Sequence, residues 1–347
     1  MTRRLGFACK YMYEDQSLKK KQLEEIQRPL TEKCTTITWL NRQTRDVAEQ
    51  RLWDIMEHNG AAAKRLVEYV GGLPDGLRMV RLGSNQLPAY TQHDWSYFWR
   101  KSDVRQRAEQ LYSAVGATAR ELDVRLSMHP GQFTVLASID DDIVNRSIEE
   151  FEYHVDIARW MGYGKQFQDF KVNVHISGKK GPAGIKECLN RLSPEARNCI
   201  TIENDENSWG LDASLELAGH LGLVIDIHHH WVNSGGEYIE PNDDRIKRVI
   251  DSWRGVRPTM HYSLSREDYL PDHSPNVRPD FQELIATGHK KAKLRAHSDM
   301  CWNTACNDWA LRFGVDFDIM IEAKLKNLAQ HQLYQQYKKS IVDYCHK

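Results

Sequence analysis

The chain has 347 residues, formal net charge −1, 41% hydrophobic and 27% charged residues, and 10 Trp with 14 Tyr, a composition that excludes intrinsic disorder and predicts a globular fold. Near-neutral charge excludes an overall basic field for nucleic acid, leaving only a local patch, and no apolar run reaches the roughly 18 residues of a membrane span. "MTRR" is followed by mixed polar residues rather than a signal-peptide core, and the 7 scattered cysteines fit reduced thiols, so a cytoplasmic protein without a membrane partner is expected.

Short aliphatic or β-branched runs alternate with amphipathic segments, the pattern of repeated βα units. In chain order, a strand at Arg4–Ala8 precedes helices at Asp46–Asn59 and Ala61–Val70. A strand at Met79–Leu82 precedes a helix at Val104–Glu121, and one at Val124–Met128 precedes Ile143–Met161. Lys171–Val174 is followed by Ala183–Arg191, Ile200–Ile202 by Ser214–His220, and Leu223–Ile225 by Asp243–Trp253. The last two units are Thr259–Met260 with Phe281–Ala286, and Lys293–Ala296 with Phe317–Tyr337. These eight units predict an α/β chain folded as a single (β/α)8 TIM barrel, one domain over residues 1–347. The Pro-, Asp- and Ser-rich stretch at 263–280 reads as a long loop and the expected mobile element.

The residue just after each apolar run carries the chemistry. The third to eighth predicted strands end in His129, His175, Glu203, Asp226, His261 and His297. In a (β/α)8 barrel all strand C-termini meet at one face, where the active site is built. A single histidine at a strand end is usually a satisfied hydrogen-bonding residue; six metal-ligand side chains at equivalent places outweigh that reading. After Asp226 come three consecutive histidines, His228, His229 and His230, which cannot all face one ion. A seventh candidate, Glu322 in "FDIMIEAKLK", falls early on the predicted last helix. Carboxylates and imidazoles without thiolates suit Mn²⁺ or Zn²⁺, with Mg²⁺ as a further alternative. So many ligands exceed the needs of one ion, so about two or three are expected, with Glu203 as bridge, an arrangement suited to phosphodiester cleavage.

"LGFACK", "RLGSN", "HPGQF", "VHISGKKG", "IENDE", "DIHHHW", "MHYS", "AHSD" and "DIMIEAKLK" occur in that order along almost the whole chain. Together they resemble the UV damage endonuclease family, which is related to endonuclease IV. The resemblance implies a (β/α)8 barrel with a manganese-containing multi-metal centre acting on damaged double-stranded DNA; a monomer is expected. It implies a nick immediately 5′ to UV photoproducts (cyclobutane pyrimidine dimers and 6-4 photoproducts), with abasic sites as a further substrate class, leaving a 3′-hydroxyl and a 5′-phosphate. Carried over by motif, the ligands are His129, His175, Glu203, Asp226, His229, His261, His297 and Glu322, with Glu203, His229 and Glu322 as catalytic residues.

The same resemblance makes Gln132 and Phe133 a wedge inserted into the duplex, Phe133 standing where the family usually has Tyr, and places Phe7 and Tyr11 as lesion contacts where Tyr and Asn are common. Arg81, Lys179, Lys180 and Lys293 are candidate phosphate contacts, and the aromatic stretch 90–99 is either a DNA contact or core packing. Thr259 stands where the family commonly has a modified lysine two residues before the seventh-strand histidine, which excludes that ligand here. Two other readings are an endonuclease IV-like enzyme acting at abasic sites and a sugar isomerase of the xylose isomerase type. The latter also sets carboxylates and histidines around two ions but has no use for a wedge.

Overall fold

The computed structural model describes residues 3–345, with side chains as far as Lys338. Eight parallel strands form its centre: β1 (Leu5–Ala8), β2 (Met79–Arg81), β3 (Arg125–Met128), β4 (Lys171–His175), β5 (Ile200–Glu203), β6 (Gly222–Val224), β7 (Thr259–Tyr262) and β8 (Asp318–Ile321). All sequence neighbours but β6 and β7 pair in a parallel ladder, and β1 pairs with β8 through Gly6 opposite Met320. The pairing runs β6-β5-β4-β3-β2-β1-β8-β7, so the circle is completed between β6 and β7. There the contact is one parallel bridge, Asp226 to His261, in which the His261 N–H donates to the Ile225 carbonyl at 2.9 Å. This is the expected (β/α)8 barrel.

The layering follows from strand alternation. In β1, Leu5 and Phe7 point outward into the core shared with the helices, while Ala8 points inward against Met79 and Met320. Gly6 also faces inward, where a Cβ would lie 2.6 Å from Met79 Cε, so a larger residue there would have to displace the methionine side chains of that layer. Phe7 therefore has no accessible surface and cannot touch a DNA lesion, a correction to its assignment as a lesion contact. Outside the strands, the long helices Arg45–Gly71, Ser102–Glu121 and Asp141–Trp160 bury one face each against the barrel, and Asp140 caps the last of them through the amides of Asp142 and Ile143. The aromatic stretch supplies core: Trp95, Phe98 and Trp99 are buried.

One strand differs from expectation. Residues Lys291–Leu294 form a short helix, and the eighth strand is Asp318–Ile321, which the sequence reading had placed in the first turn of the final helix. That helix begins only at Lys326. The physical reason is composition: "KLRA" has no β-branched residue and two charges, whereas in "DIMI" a single Asp is followed by two Ile and a Met, suited to a strand buried on both faces. Glu322 consequently lies directly after a strand, not on a helix. His297 lies on a loop that bridges back to Ser265. Between Tyr262 and Phe281 the only regular element is a single 3₁₀ turn, Glu267–Tyr269, as the loop reading required.

Candidate metal centre

Period-two alternation that turns Ala8 into the barrel also turns a polar stripe of β4 inward: Lys171, Asn173 and His175. On β5 the same alternation aligns Thr201 and Glu203, and on β7 Thr259 and His261. These side chains stack in layers, with His175, Glu203 and His261 at the C-terminal ends of their strands and Lys171 deeper in the barrel. Beyond β6, Asp226 caps the helix Ile227–Ser234, its Oδ1 accepting from the His228 and His229 amides at 2.7 and 2.8 Å. The helix start turns His229 toward the barrel axis and spreads its neighbours apart. His228 is held by Ser263 Oγ at 2.9 Å and the Leu294 carbonyl at 3.1 Å, and His230 turns away to Glu237 at 3.0 Å.

Glu203 is the hub. Its Oε1 lies 3.0 Å from His261 Nδ1 and 3.5 Å from His229 Nδ1, and its Oε2 lies 3.5 Å from His129 Nε2 and 3.9 Å from His175 Nε2. Glu322 Oε1 is 3.2 Å from His261 Nδ1 and also pairs with Arg81. Asp226 Oδ2 is 3.9 Å from His229 Nε2, and Glu206 Oε2 is 3.8 Å from the same nitrogen. His297 joins the ring at its edge, its imidazole centred 6.1 Å from that of His229 and its Nδ1 4.0 Å from Glu322 Oε2. Among the described residues, three groups form whose ligand atoms lie within 4.8 Å of one another: His129, His175 and Glu203; His175, Glu206 and His229; and Glu203, Asp226, His261 and Glu322.

Two observations test whether divalent ions fit these groups. An ion about 2.1 Å from each donor sets donors about 3.0–3.4 Å apart in octahedral or tetrahedral geometry, close to the shorter spacings around Glu203. The second is an orphan: Asp226 Oδ2 is buried with no hydrogen-bond donor in reach. A buried carboxylate oxygen without a donor costs free energy that a bound cation removes. The residues fit.

The charges are interdependent. Burial works against ionised Glu203, but His261 and His175 with hydrogen bonds from His129 and His261 hold its carboxyl well below the usual range. Glu322 is held low in the same way by Arg81 and His261. Burial, with Glu203 and Glu322 close by, pushes Asp226 up. Burial also disfavours charge on His229, yet Asp226, Glu203 and Glu206 outweigh it and set its pKa at about 9. His261 goes the other way, to about 4, through burial and the adjacent Lys171. Lys171 Nζ sits 2.9 Å from His261 Nε2 inside the barrel, with 3% of its surface exposed, and burial pushes its pKa down to about 7.

The remaining sequence candidates divide by exposure. Gln132 is exposed and Phe133 is 85% exposed on the turn after His129, free of the core. Tyr11 is half-buried, its ring edge-on to Tyr69 with centroids 4.9 Å apart. Arg81 turns into the rim to meet Glu322, so contact with a phosphate from there competes with that ion pair. Lys179 is exposed, Lys180 is paired with Glu187 at 3.0 Å, and Lys293 lies over the Tyr269 ring. Sequence reasoning missed Glu206, Lys171 and Asp205, the last 3.6 Å from His175 Nδ1. The signal for Lys171 was present in the i, i+2, i+4 spacing of Lys171, Asn173 and His175.

Imidazoles and carboxylates gathered over the C-terminal ends of parallel strands mark an α/β-barrel enzyme with a metal-binding mouth. The family model UV-endonuclease UvdE matches residues 3–346, and the chain belongs to that family. The UV DNA damage endonuclease of Bacillus velezensis is 24% identical over 314 residues, covering 88% of either chain, and that of Bacillus thuringiensis subsp. konkukian is 24% identical over 316 residues with the same coverage. The solved structure of SacUVDE superposes with a TM-score of 0.71 over 97% of this chain and 98% of its own at 20% identity, a likeness of fold.

Proposed function

We propose that this protein nicks double-stranded DNA immediately 5′ to UV photoproducts, both cyclobutane pyrimidine dimers and 6-4 photoproducts, leaving a 3′-hydroxyl and a 5′-phosphate, with abasic sites as a secondary substrate. The observation that carries the reading is the Glu203 hub, a single buried carboxylate facing four imidazoles at 3.0–3.9 Å. His129, His175, Glu203, Asp226, His229, His261, His297 and Glu322 hold about two or three Mn²⁺ ions, with Glu206 as a further ligand from the same cluster. When bound, such ions lower the pKa of a coordinated water and offset the charge that grows on the phosphorus oxygens. The chain supplies the rest. Glu203 and Glu322 flank the His261 imidazole between them, Asp205 holds the His175 ring, and Arg81 steadies Glu322. The exposed Phe133, with Gln132, stands clear of the rim to stack where damaged bases leave the duplex, and extruding a poorly stacked lesion costs less than extruding a normal pair.

Incubating irradiated and unirradiated supercoiled plasmid with the protein, with Mn²⁺ and with chelator, and sequencing the nick ends tests the reading. Nicks independent of irradiation, or with a 3′-phosphate, would remove it.

Two further outcomes are expected. Replacing both Gln132 and Phe133 by Ala lowers the ratio of damaged to intact cleavage by about 10–100-fold, as base stacking of roughly 1–3 kcal/mol per ring requires. Equal loss on both substrates argues against a wedge. The second concerns pH. His229 titrates at about 9 in the metal-free protein, and an ion displaces its proton. Mn²⁺ affinity is therefore expected to fall about tenfold per pH unit below 9, with proton release measurable by calorimetry in buffers of different ionisation enthalpy. Affinity constant from pH 9 down to 7 would show that His229 is not a ligand.

A further inference from the structure

The rim is electrically lopsided. From β3 round to β8 it carries the imidazoles and carboxylates, whereas the β8-β1-β2 sector carries Arg81, Lys10 and Lys326. With a net charge of −1 the molecule has no general cationic field, so any grip on a polyanion must come from a few placed cations. Lys10 and Lys326 are placed by a specific device. Asn327, buried, accepts from the Met12 N–H at 2.7 Å and donates to the Met12 carbonyl at 2.9 Å, tying the chain after β1 to the first turn of the last helix. Cys9 donates its N–H to the Arg81 carbonyl at 2.8 Å, closing the same corner to β2. Two non-glycine residues here adopt the left-handed backbone that disfavours side chains, Cys9 at φ +73° and Lys326 at φ +48°.

Lys326 is partly buried, which pushes its pKa down, and it feels the charges of Cys9, Arg81, Glu322 and Lys10. Neither it nor the Lys10 ammonium takes part in a hydrogen bond or ion pair among the described residues. Two left-handed backbone positions and a buried amide clamp thus bracket two lysines that make no hydrogen bond or ion pair among the described residues, Lys326 within electrostatic reach of Glu322 and Lys10 within reach of Glu32; Glu322 is itself within 3.2 Å of the His261 imidazole.

We propose that Lys10 and Lys326 form a clamp for the DNA backbone phosphate neighbouring the one cut at the metal centre, setting the path of the damaged strand across the β8-β1-β2 sector. The inference rests on the endonuclease reading. It assigns the ligand as a phosphodiester oxygen and requires no base contact, so the clamp grips damaged and intact duplex alike.

The test is fluorescence anisotropy of a labelled undamaged duplex, titrated with the full chain from about 50 to 200 mM salt, using Lys326→Gln, Lys10→Gln, Lys326→Arg and the wild type. Lys247→Gln is the control, its side chain 63% exposed and paired with Asp244 on an outer helix. Each clamp substitution by Gln is expected to weaken binding several-fold and to reduce the slope of log affinity against log salt by about one, while Lys326→Arg retains the wild-type slope. Metal content measured on the same samples stays at the wild-type level. Unchanged slopes in both Gln variants, with the wild type nicking irradiated plasmid, overturn the clamp alone. A wild type that neither binds duplex nor nicks irradiated plasmid overturns the clamp and the endonuclease reading together.

Discussion

Glu203→Gln is expected to reduce nicking of irradiated DNA by at least about a thousandfold, with the metal content of the purified protein falling alongside. The argument is geometric. Both carboxylate oxygens of Glu203 face imidazoles, two apiece at 3.0–3.9 Å, so any ion seated among His129, His175, His229 and His261 meets this residue. Gln keeps the size but removes the negative charge and turns one oxygen into an N–H donor aimed at nitrogens or an ion that need an acceptor. Asn173 already donates to Glu203 Oε2, so the amide oxygen of Gln can retain that bond, and the barrel is expected to fold. His229→Ala should behave alike, since it removes the imidazole that faces Glu203, Asp226 and Glu206 together. Elemental analysis with a plasmid nicking assay decides the matter: wild-type incision with unchanged metal in both variants removes this rim as the active centre.

The second large effect belongs to Lys171. Its ammonium has no carboxylate in salt-bridge contact among the described residues, lies inside the barrel, and has its pKa pushed down to about 7. For a lysine with a lowered folded-state pKa, the unfolded chain binds a proton that the folded chain refuses between about 10.5 and 7, so stability falls as pH drops through that window. At about 1.4 kcal/mol per unit, the penalty near neutral pH amounts to several kcal/mol. Lys171→Met is therefore expected to raise the thermal stability of the metal-free protein at pH 7 and to gain little above pH 10.5. The same substitution strips His261 Nε2 of its partner at 2.9 Å, and losing the group that orients a ligating imidazole commonly weakens metal binding about 10–100-fold. A destabilised Lys171→Met protein, or one with unaltered manganese affinity, would contradict this account. The trade of stability for a placed imidazole is what a functional interior displays.

Which parts of this were legible in the chain follows from the physics of each part. Seven of the strands show as short apolar runs bounded by turn residues, and the rule that each run ends in a ligand-type side chain picked out His129, His175, Glu203, Asp226 and His261, all of which meet at one rim. The same rule misled at the eighth strand. His297 drew a strand onto the charged segment before it, although that histidine reaches the rim from a loop, while the true strand ends in Glu322 and obeys the rule without exception. Phe7 was misjudged because a motif position carries no information on which side of a strand a residue faces; the inward place of Ala8 settles it. Glu206 was missed because it lies on a loop three residues past β5, where no periodicity points at the axis. Separating His229 from His228 and His230 needed the helix that Asp226 caps, a feature of backbone geometry rather than of composition.

The junction of β6 with β7 has a wider bearing. Every other neighbouring pair in the cylinder is stitched by a ladder, but here one bridge joins Asp226 to His261, two residues that also belong to a single cation-sized cluster. A divalent ion seated there would serve as a rivet across the one weakly sewn edge, so the tool that cuts and the fastener that closes the cylinder would be one object. Starved of its ions, such a repair enzyme would lose catalytic power and expose the sticky margins of two strands at the same moment, tying its survival in the cell to the supply of the metal it works with.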